Sequence, residues 1–224
     1  MRPRPIIFLC GGNNTRVKHI LGDVPKCVAD INGLPFIVYM WRHLHKHVKT
    51  VVSSFILSCS DKKLLIQSYL LKFLRSEGYD LTLEDMDNLS YKGIPIIFVE
   101  EAYPTGTLNG LLKVIPLIGS QQKRITVMNG DTFCPVLLYK LSAINEQTKD
   151  DLTIATHNGV DSGIWVMRMW LLRLMDRGAM LTVDDKREFI KSTPGLQISY
   201  VECPPFIDIG TPEGLEQAKR ELHR

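Results

Sequence analysis

Short apolar runs and amphipathic stretches alternate along the chain. The first run, Pro5-Ile6-Ile7-Phe8-Leu9, predicts a buried strand over Ile6 to Leu9. Pro35 to His45 has a helical pattern and Val51 to Leu57 that of a strand. Asp61 to Arg75 is a leucine-rich amphipathic helix, with Asp61 near its start, where a carboxylate is favoured. Ile94 to Val99 predicts a strand, Leu108 to Ile118 a helix and Ile125 to Met128 a strand. Val136 to Ile144 reads as a helix, Leu152 to Thr156 and Ile164 to Met167 as strands. The polar segment from Glu84 to Lys92 predicts a loop. Near the end, Thr211 can cap a helix that has Pro212 at its first position.

Strands alternating with helices predict an α/β fold, with a mixed, mainly parallel sheet carrying helices on both faces. Ligands of such sheets gather at the C-terminal ends of the strands. Gly11, Gly12 and Asp131 each follow a strand and are expected on that rim. No repeat, low-complexity tract or linker interrupts residues 1–224, so one domain is expected.

Composition narrows the class. Hydrophobic residues make up 45% and charged residues 23%, as in an ordinary globular chain. A net charge of +3 is too small to point to nucleic acid. No apolar run is long enough to span a membrane, so neither nucleic acid nor membrane is expected as a partner. Arg2 and Arg4 precede an apolar stretch that ends in Gly-Gly, unlike a signal-cleavage site. The five cysteines, Cys10, Cys27, Cys59, Cys134 and Cys203, are odd in number and show no Cys-x-x-Cys. They are expected as free thiols in a reducing compartment, with the cytoplasm the default.

The candidate chemistry begins where the first strand ends. Leu9-Cys10-Gly11-Gly12-Asn13-Asn14-Thr15-Arg16 is followed by Asp23-Val24-Pro25-Lys26. Glycines let backbone N–H groups close on phosphate oxygens. Arg16 offers a bidentate fork and Lys26 a compact charge, which together suit a triphosphate. Asp131, in Val127-Met128-Asn129-Gly130-Asp131, and Asp208, in Phe206-Ile207-Asp208-Ile209-Gly210, are hard oxygen donors that could meet at one rim around magnesium. Asp208 has a second reading, a hydrogen bond to the turn that follows it. His43, His45 and His47 place two imidazoles on one helix face, which reads as a polar surface rather than a metal site. Trp165 and Trp170 read as core.

These motifs resemble those of the sugar-1-phosphate nucleotidylyltransferases, whose signature is Gly-Gly-x-Gly-Thr-Arg followed by Pro-Lys. Val127 to Asp131 looks like the family's strand ending in a metal-binding Asp. Thr105-Gly106-Thr107 looks like its base-side turn, and Phe206 to Glu213 like its C-terminal motif. The four motifs stand in the family's order, and the wording is similar to that of the D-glycero-D-manno-heptose 1-phosphate guanylyltransferase group. The resemblance implies a Rossmann-like nucleotidyltransferase fold of the GT-A-like kind. It implies a magnesium-dependent reaction of a nucleoside triphosphate, GTP in that group, with a heptose or hexose 1-phosphate. The resemblance gives Arg16, Lys26 and Asp131 catalytic roles. It puts Leu9, Gly11, Gly12, Asn13, Asn14, Thr15, Gly106, Thr107 and Gly130 at the nucleotide, Asn129 and Gly163 at the sugar, and Asp131 and Asp208 at Mg2+. A homo-oligomer is compatible with it.

The chain departs from the family pattern in places. Asn14 replaces a loop glycine, and Leu108-Asn109 replace a pair of small residues. Asp161 replaces the Asn of an Asn-x-Gly-Ile-Tyr motif, which here reads Asp161-Ser162-Gly163-Ile164-Trp165. Only His157-Asn158-Gly159-Val160 stands where the family carries a hairpin that contributes to the sugar pocket. The nucleotide half therefore reads as kept and the sugar half as trimmed. Two other readings stay open: a nucleotidylyltransferase-like protein that binds nucleotide or nucleotide sugar without turnover, as a regulatory or partner subunit, and a cytidylyltransferase branch acting on a polyol or acidic sugar.

Overall fold

The computed structural model describes residues 4–12, 14–48, 52–59, 61–100, 107–136, 138–174 and 193–223. In chain order the elements are β1 (Arg4–Leu9), α1 (Lys18–Leu21), β2 (Asp30–Ile31), β3 (Leu34–Pro35), α2 (Phe36–Val48), β4 (Val52–Cys59) and α3 (Lys63–Ser76). Then come β5 (Ser90–Tyr91), β6 (Ile94–Glu100), α4 (Thr107–Leu112), β7 (Arg124–Asn129), β8 (Thr132–Phe133) and α5 (Leu138–Thr148). The last are β9 (Leu152–His157), β10 (Val160–Arg168), α6 (Met169–Leu174), β11 (Ile198–Glu202), β12 (Ile207–Asp208) and α7 (Pro212–Glu221).

Eight strands form the central sheet in the order β11-β9-β10-β7-β1-β4-β6-β5. The pairs β1–β4, β1–β7, β4–β6 and β9–β11 are parallel. Only β10 and β5 run against the rest. The mainly parallel α/β sheet read from the sequence is thus observed.

Alternation along the strands divides the core. Ile6, Phe8, Phe55 and Leu57 face one side, with buried residues of α2, α3, α5 and α7. Ile7 and Ile56 face the other, with Leu111 of α4 and Leu171 and Leu172 of α6. Strand register aligns Ile56, Ile7, Val127, Trp165 and Ile154 in one buried row across five strands. On the first side Trp41 stacks on Phe55, with ring centroids 5.2 Å apart.

Several local expectations need correction. Asp61 does not cap α3; the helix starts at Lys63, and the residue at its N-cap, Lys62, makes no side-chain capping bond. The helix expected over Leu108 to Ile118 stops at Leu112 and gives way to a 3-10 turn over Ile115–Leu117, because Pro116 has no N–H for a helical bond. The stretch from Glu84 to Lys92 is not simply a loop. It holds a 3-10 turn and then β5, which folds onto β6 through Lys92-Gly93, both at positive φ. Leu89 and Tyr91, both buried, anchor it. Trp165 is core as expected, but Trp170 is 44% exposed, and its indole N–H donates to Asp151 Oδ1 at 3.1 Å. Among the described residues no helix is long and apolar enough to cross a membrane.

Candidate active site

The C-terminal ends of β1 and β7 lie side by side, since Leu9 pairs with Asn129. The chain leaves β1 through Cys10, whose N–H donates to Ser58 O at 2.8 Å, and enters the loop of Gly11 and Gly12. Leu9 O accepts from Gly130 N at 2.9 Å, so the two strand ends remain tied beyond the sheet. A side chain at Gly130 is not accommodated: a Cβ there would lie 2.7 Å from Cys10 Sγ and 2.9 Å from Leu9 O.

Asn14 closes the loop. It takes φ 59°, a left-handed conformation that Asn reaches at modest cost. Its side chain is buried, and Nδ2 donates to Val24 O at 2.7 Å. The amide is therefore turned into the protein, tying the loop to the Pro25-Lys26 segment. Thr15 and Arg16 follow, exposed in the turn before α1. Asn13 lies outside the described residues.

Pro25 leads into a 3-10 turn over Lys26–Val28. From there the Lys26 ammonium reaches across to form an ion pair with Asp131 Oδ2. It also lies beside Gly12, where a Cβ would stand 3.8 Å from Nζ. Asp131 Oδ1 accepts from Thr132 Oγ1 at 3.3 Å.

Asp208 arrives from a distant part of the chain. The two-residue strand β12 pairs antiparallel with β8, placing Asp208 opposite Thr132. Ile209 N donates to Asp131 O at 3.0 Å, which brings the two aspartates to adjoining positions. Asp208 Oδ1 accepts from Gly210 N at 2.7 Å, so the turn reading of Asp208 is observed. Arg16 also comes here. The place that a Cβ on Gly210 would occupy lies 2.8 Å from Arg16 Nη2 and 2.8 Å from Asp208 Oδ1. Arg16, Lys26, Asp131 and Asp208, scattered in sequence, thus form two neighbouring basic–acidic sets on the rim.

Among the described residues no group of three or more His, Cys, Asp or Glu side chains is arranged to hold a metal. Asp131 and Asp208 stand at adjoining backbone positions, and their chemistry suits magnesium, which takes one or two carboxylates and completes its shell with phosphate oxygens and water. The His43–His47 pair does not compete for that role: the rings lie tilted with centroids 4.6 Å apart, and His43 Nε2 lies 3.1 Å from Val136 O. The thiol at the loop does not suit nucleophilic work. All five are free, and Cys10, the one at the loop, is held well above the ordinary thiol range by contact with the Cys27 thiol and by burial.

On the other side of β7, the two residues expected at the sugar meet. Gly163, at φ 74°, packs against Asn129 so closely that a Cβ would lie 2.4 Å from Asn129 Nδ2. Sequence reasoning noted Asp161 only as a departure and Trp165 only as core. The structure joins them: Asp161 Oδ1 accepts from Gly163 N at 2.7 Å, and Trp165 Nε1 lies 3.2 Å from Oδ1 and 3.0 Å from Oδ2. Two departures within one five-residue motif were the available signal. β9 and β10 are joined directly through Asn158-Gly159, both at positive φ, in a hairpin turn. Of the base-side turn, Gly106 lies outside the described residues, and Thr107 is the first residue of α4.

No profile of a known family matches the chain. It is 32% identical over 141 residues to the D-glycero-alpha-D-manno-heptose 1-phosphate guanylyltransferase of Campylobacter jejuni, an alignment covering 62% of this chain and 52% of that protein. The chain thus spans about half the length of that relative. It is 21% identical to the protein of the same name from Aneurinibacillus thermoaerophilus, over 96% of this chain and 97% of that one. A probable glucose-1-phosphate cytidylyltransferase of Bacillus subtilis is 29% identical over 160 residues, 69% of this chain and 59% of its own. Among solved structures, HddC from Yersinia pseudotuberculosis superposes with a TM-score of 0.73 at 21% identity, covering 97% of this chain and 99% of that one. The inositol-1-phosphate CTP transferase of T. maritima gives a TM-score of 0.68 at 16% identity, over 100% and 99%. The chain is thus similar in sequence to proteins named D-glycero-alpha-D-manno-heptose 1-phosphate guanylyltransferase, and it has the fold of HddC and of the inositol-1-phosphate CTP transferase.

Proposed function

We propose that this chain is a magnesium-dependent nucleotidylyltransferase that joins a nucleoside triphosphate to a heptose or hexose 1-phosphate and releases pyrophosphate. The observation that carries the reading is the pairing of Lys26 with Asp131, beside Arg16 and Asp208, at the C-terminal rim of the sheet. GTP is the nucleotide favoured. The Campylobacter and Aneurinibacillus relatives are named guanylyltransferases, and HddC has been crystallised in complex with GMP-PN.

In the reaction a phosphate oxygen of the sugar 1-phosphate attacks the α-phosphorus. The bond from that phosphorus to its bridging oxygen breaks, and pyrophosphate leaves. Such a step depends on positioning and on neutralising charge. Lys26 serves the α-phosphate or the sugar phosphate, and Arg16 serves the departing pyrophosphate. The backbone of Gly11 and Gly12 gives the phosphates close approach. Asp131 and Asp208 would hold magnesium, which when bound neutralises and orients phosphate oxygens. Asn129, with Gly163 behind it, faces the sugar.

Pyrophosphate release, measured with four nucleoside triphosphates against a panel of sugar 1-phosphates, with and without magnesium, tests this reading. Release with GTP and a heptose or hexose 1-phosphate, lost when magnesium is chelated, is expected. The short Asn158-Gly159 link motivates a second reading, a protein that binds nucleotide or nucleotide sugar without turnover. Tight nucleotide binding with no release from any pair would establish that reading and overturn the first.

A further inference from the structure

The two residues that depart from the Asn-x-Gly-Ile-Tyr pattern, Asp161 and Trp165, touch each other. Trp165 is 1% exposed, and its indole N–H can only donate, so it needs an acceptor. Asp161 supplies one while its Oδ1 also accepts from Gly163 N. Both demands fall on one side chain, and a carboxylate has two acceptor oxygens to meet them. An Asn at 161 with its oxygen kept on Gly163 N would retain only the longer indole contact, 3.2 Å, and would put its NH2 where Oδ2 now stands 3.0 Å from the indole nitrogen, donor facing donor. A Tyr at 165 both donates and accepts, so it can pair with an Asn. The two departures therefore meet in one contact.

The pair spans an irregularity in the sheet. Opposite β9, Asp161 pairs with Thr156 while Trp165 pairs with Ile154, so the segment 162–164 bulges out of register. Gly163 sits in that bulge at φ 74° and lies against the Asn129 amide. The Asp161 carboxylate closes the bulge from one end to the other, binding Gly163 N and the Trp165 indole together.

We propose that Asp161 and Trp165 act as a coupled pair of positioning residues that sets the sugar side of the site, acting through Gly163 on Asn129. The proposal rests on the nucleotidylyltransferase reading. The pair sits on β10, across β7 from β1 and its glycine loop, so its effect is expected on the sugar ahead of the nucleotide.

The test uses Asp161→Asn, Trp165→Tyr and the double variant in the full chain. Asp161→Asn is expected to raise the sugar 1-phosphate KM about tenfold and to leave nucleotide Kd unchanged within about twofold. Trp165→Tyr alone acts in the same direction. The double variant is expected to recover, with KM within about threefold of the original, because Asn and Tyr satisfy each other. A purely structural pair would lower the melting temperature without moving the sugar KM selectively. The proposal is overturned if Asp161→Asn leaves sugar KM unchanged, if nucleotide Kd moves as far as sugar KM, or if the double variant is no better than Asp161→Asn. The indole N–H resonance of Trp165, one of three tryptophans, reads the contact without turnover and is expected to shift in Asp161→Asn. If the wild type turns over no sugar, the functional reading fails by itself, and the same variants are compared by titration with a GDP-sugar. A GDP-sugar affinity indifferent to all three variants overturns the pair.

Discussion

Asp131 already has a cation, the Lys26 ammonium, on its Oδ2. Under the proposed function a magnesium ion at that oxygen would compete with Lys26, and a triphosphate that drew Lys26 to its own oxygens would ease the exchange. Lys26→Met is expected to bind Mn2+, used as a reporter for magnesium, more tightly than the parent when no nucleotide is present, as read by paramagnetic resonance. Its turnover should fall by about 2–4 kcal/mol in transition-state stabilisation, the scale of one lost preorganised charge contact. Unchanged Mn2+ affinity would show that the ion pair does not compete with the metal. Asp131→Asn keeps the shape and removes the charge. It is expected to retain its circular dichroism and lose nearly all turnover at saturating magnesium. Arg16→Ala should weaken triphosphate more than nucleotide sugar, since its assigned contact is to the leaving phosphates; equal losses would refute that role.

Among the elements, α7 was the most legible and the most useful. Thr211 Oγ1 accepts from Gly214 N at 3.1 Å and Pro212 takes the first turn, as the sequence predicts. Thr211→Ala should cost about 1 kcal/mol in urea unfolding, the usual value of such a cap. An unchanged midpoint would mean that packing alone holds the helix. Asp61 was misleading because a capping residue is recognised by the backbone that follows it, and α3 begins beyond its reach. The strands β8 and β12 could not be read at all. Two residues carry no periodicity, yet their pairing brings Asp208 to Asp131. Helix α2 has a pH dependence of its own. Burial pushes the pKa of His43 below its usual 6.5, against a smaller opposing effect of the Val136 carbonyl, with His47 and Lys46 lowering it further. The unfolded chain then takes up the proton more readily than the folded one. The contribution of neutral His43 is present above about pH 6.5 and is lost as pH falls through the folded value. Melting temperature should decline below that pH, and His43→Gln should flatten the decline.

Over the whole molecule, the residues proposed for the nucleotide rest on local signals and those proposed for the sugar do not. Glycines after a strand, an Arg, a Pro-Lys and an Asp after a second strand are each visible in sequence, and the parallel neighbours β1 and β7 bring them together. The Asn129–Gly163 contact and the bulge that carries it depend on an antiparallel strand, β10, that periodicity does not orient. β9 and β10 are joined by the short Asn158-Gly159 turn, which brings no long hairpin of side chains to discriminate among sugars. The nucleotide is therefore expected to be chosen more strictly than the sugar, with a high sugar KM or a broad sugar range. A tight preference for one sugar in the isolated chain would contradict this.

The bridge between β8 and β12 also sets an order in time. A chain synthesised as far as α5 already contains the glycine loop, Lys26 and Asp131. Asp208 does not yet exist, and Asp131 O has no Ile209 N to receive. Chains that end anywhere between α5 and β12 would carry the loop and only one of the two aspartates. On the proposed reading, the second carboxylate arrives late in synthesis, with a two-residue strand.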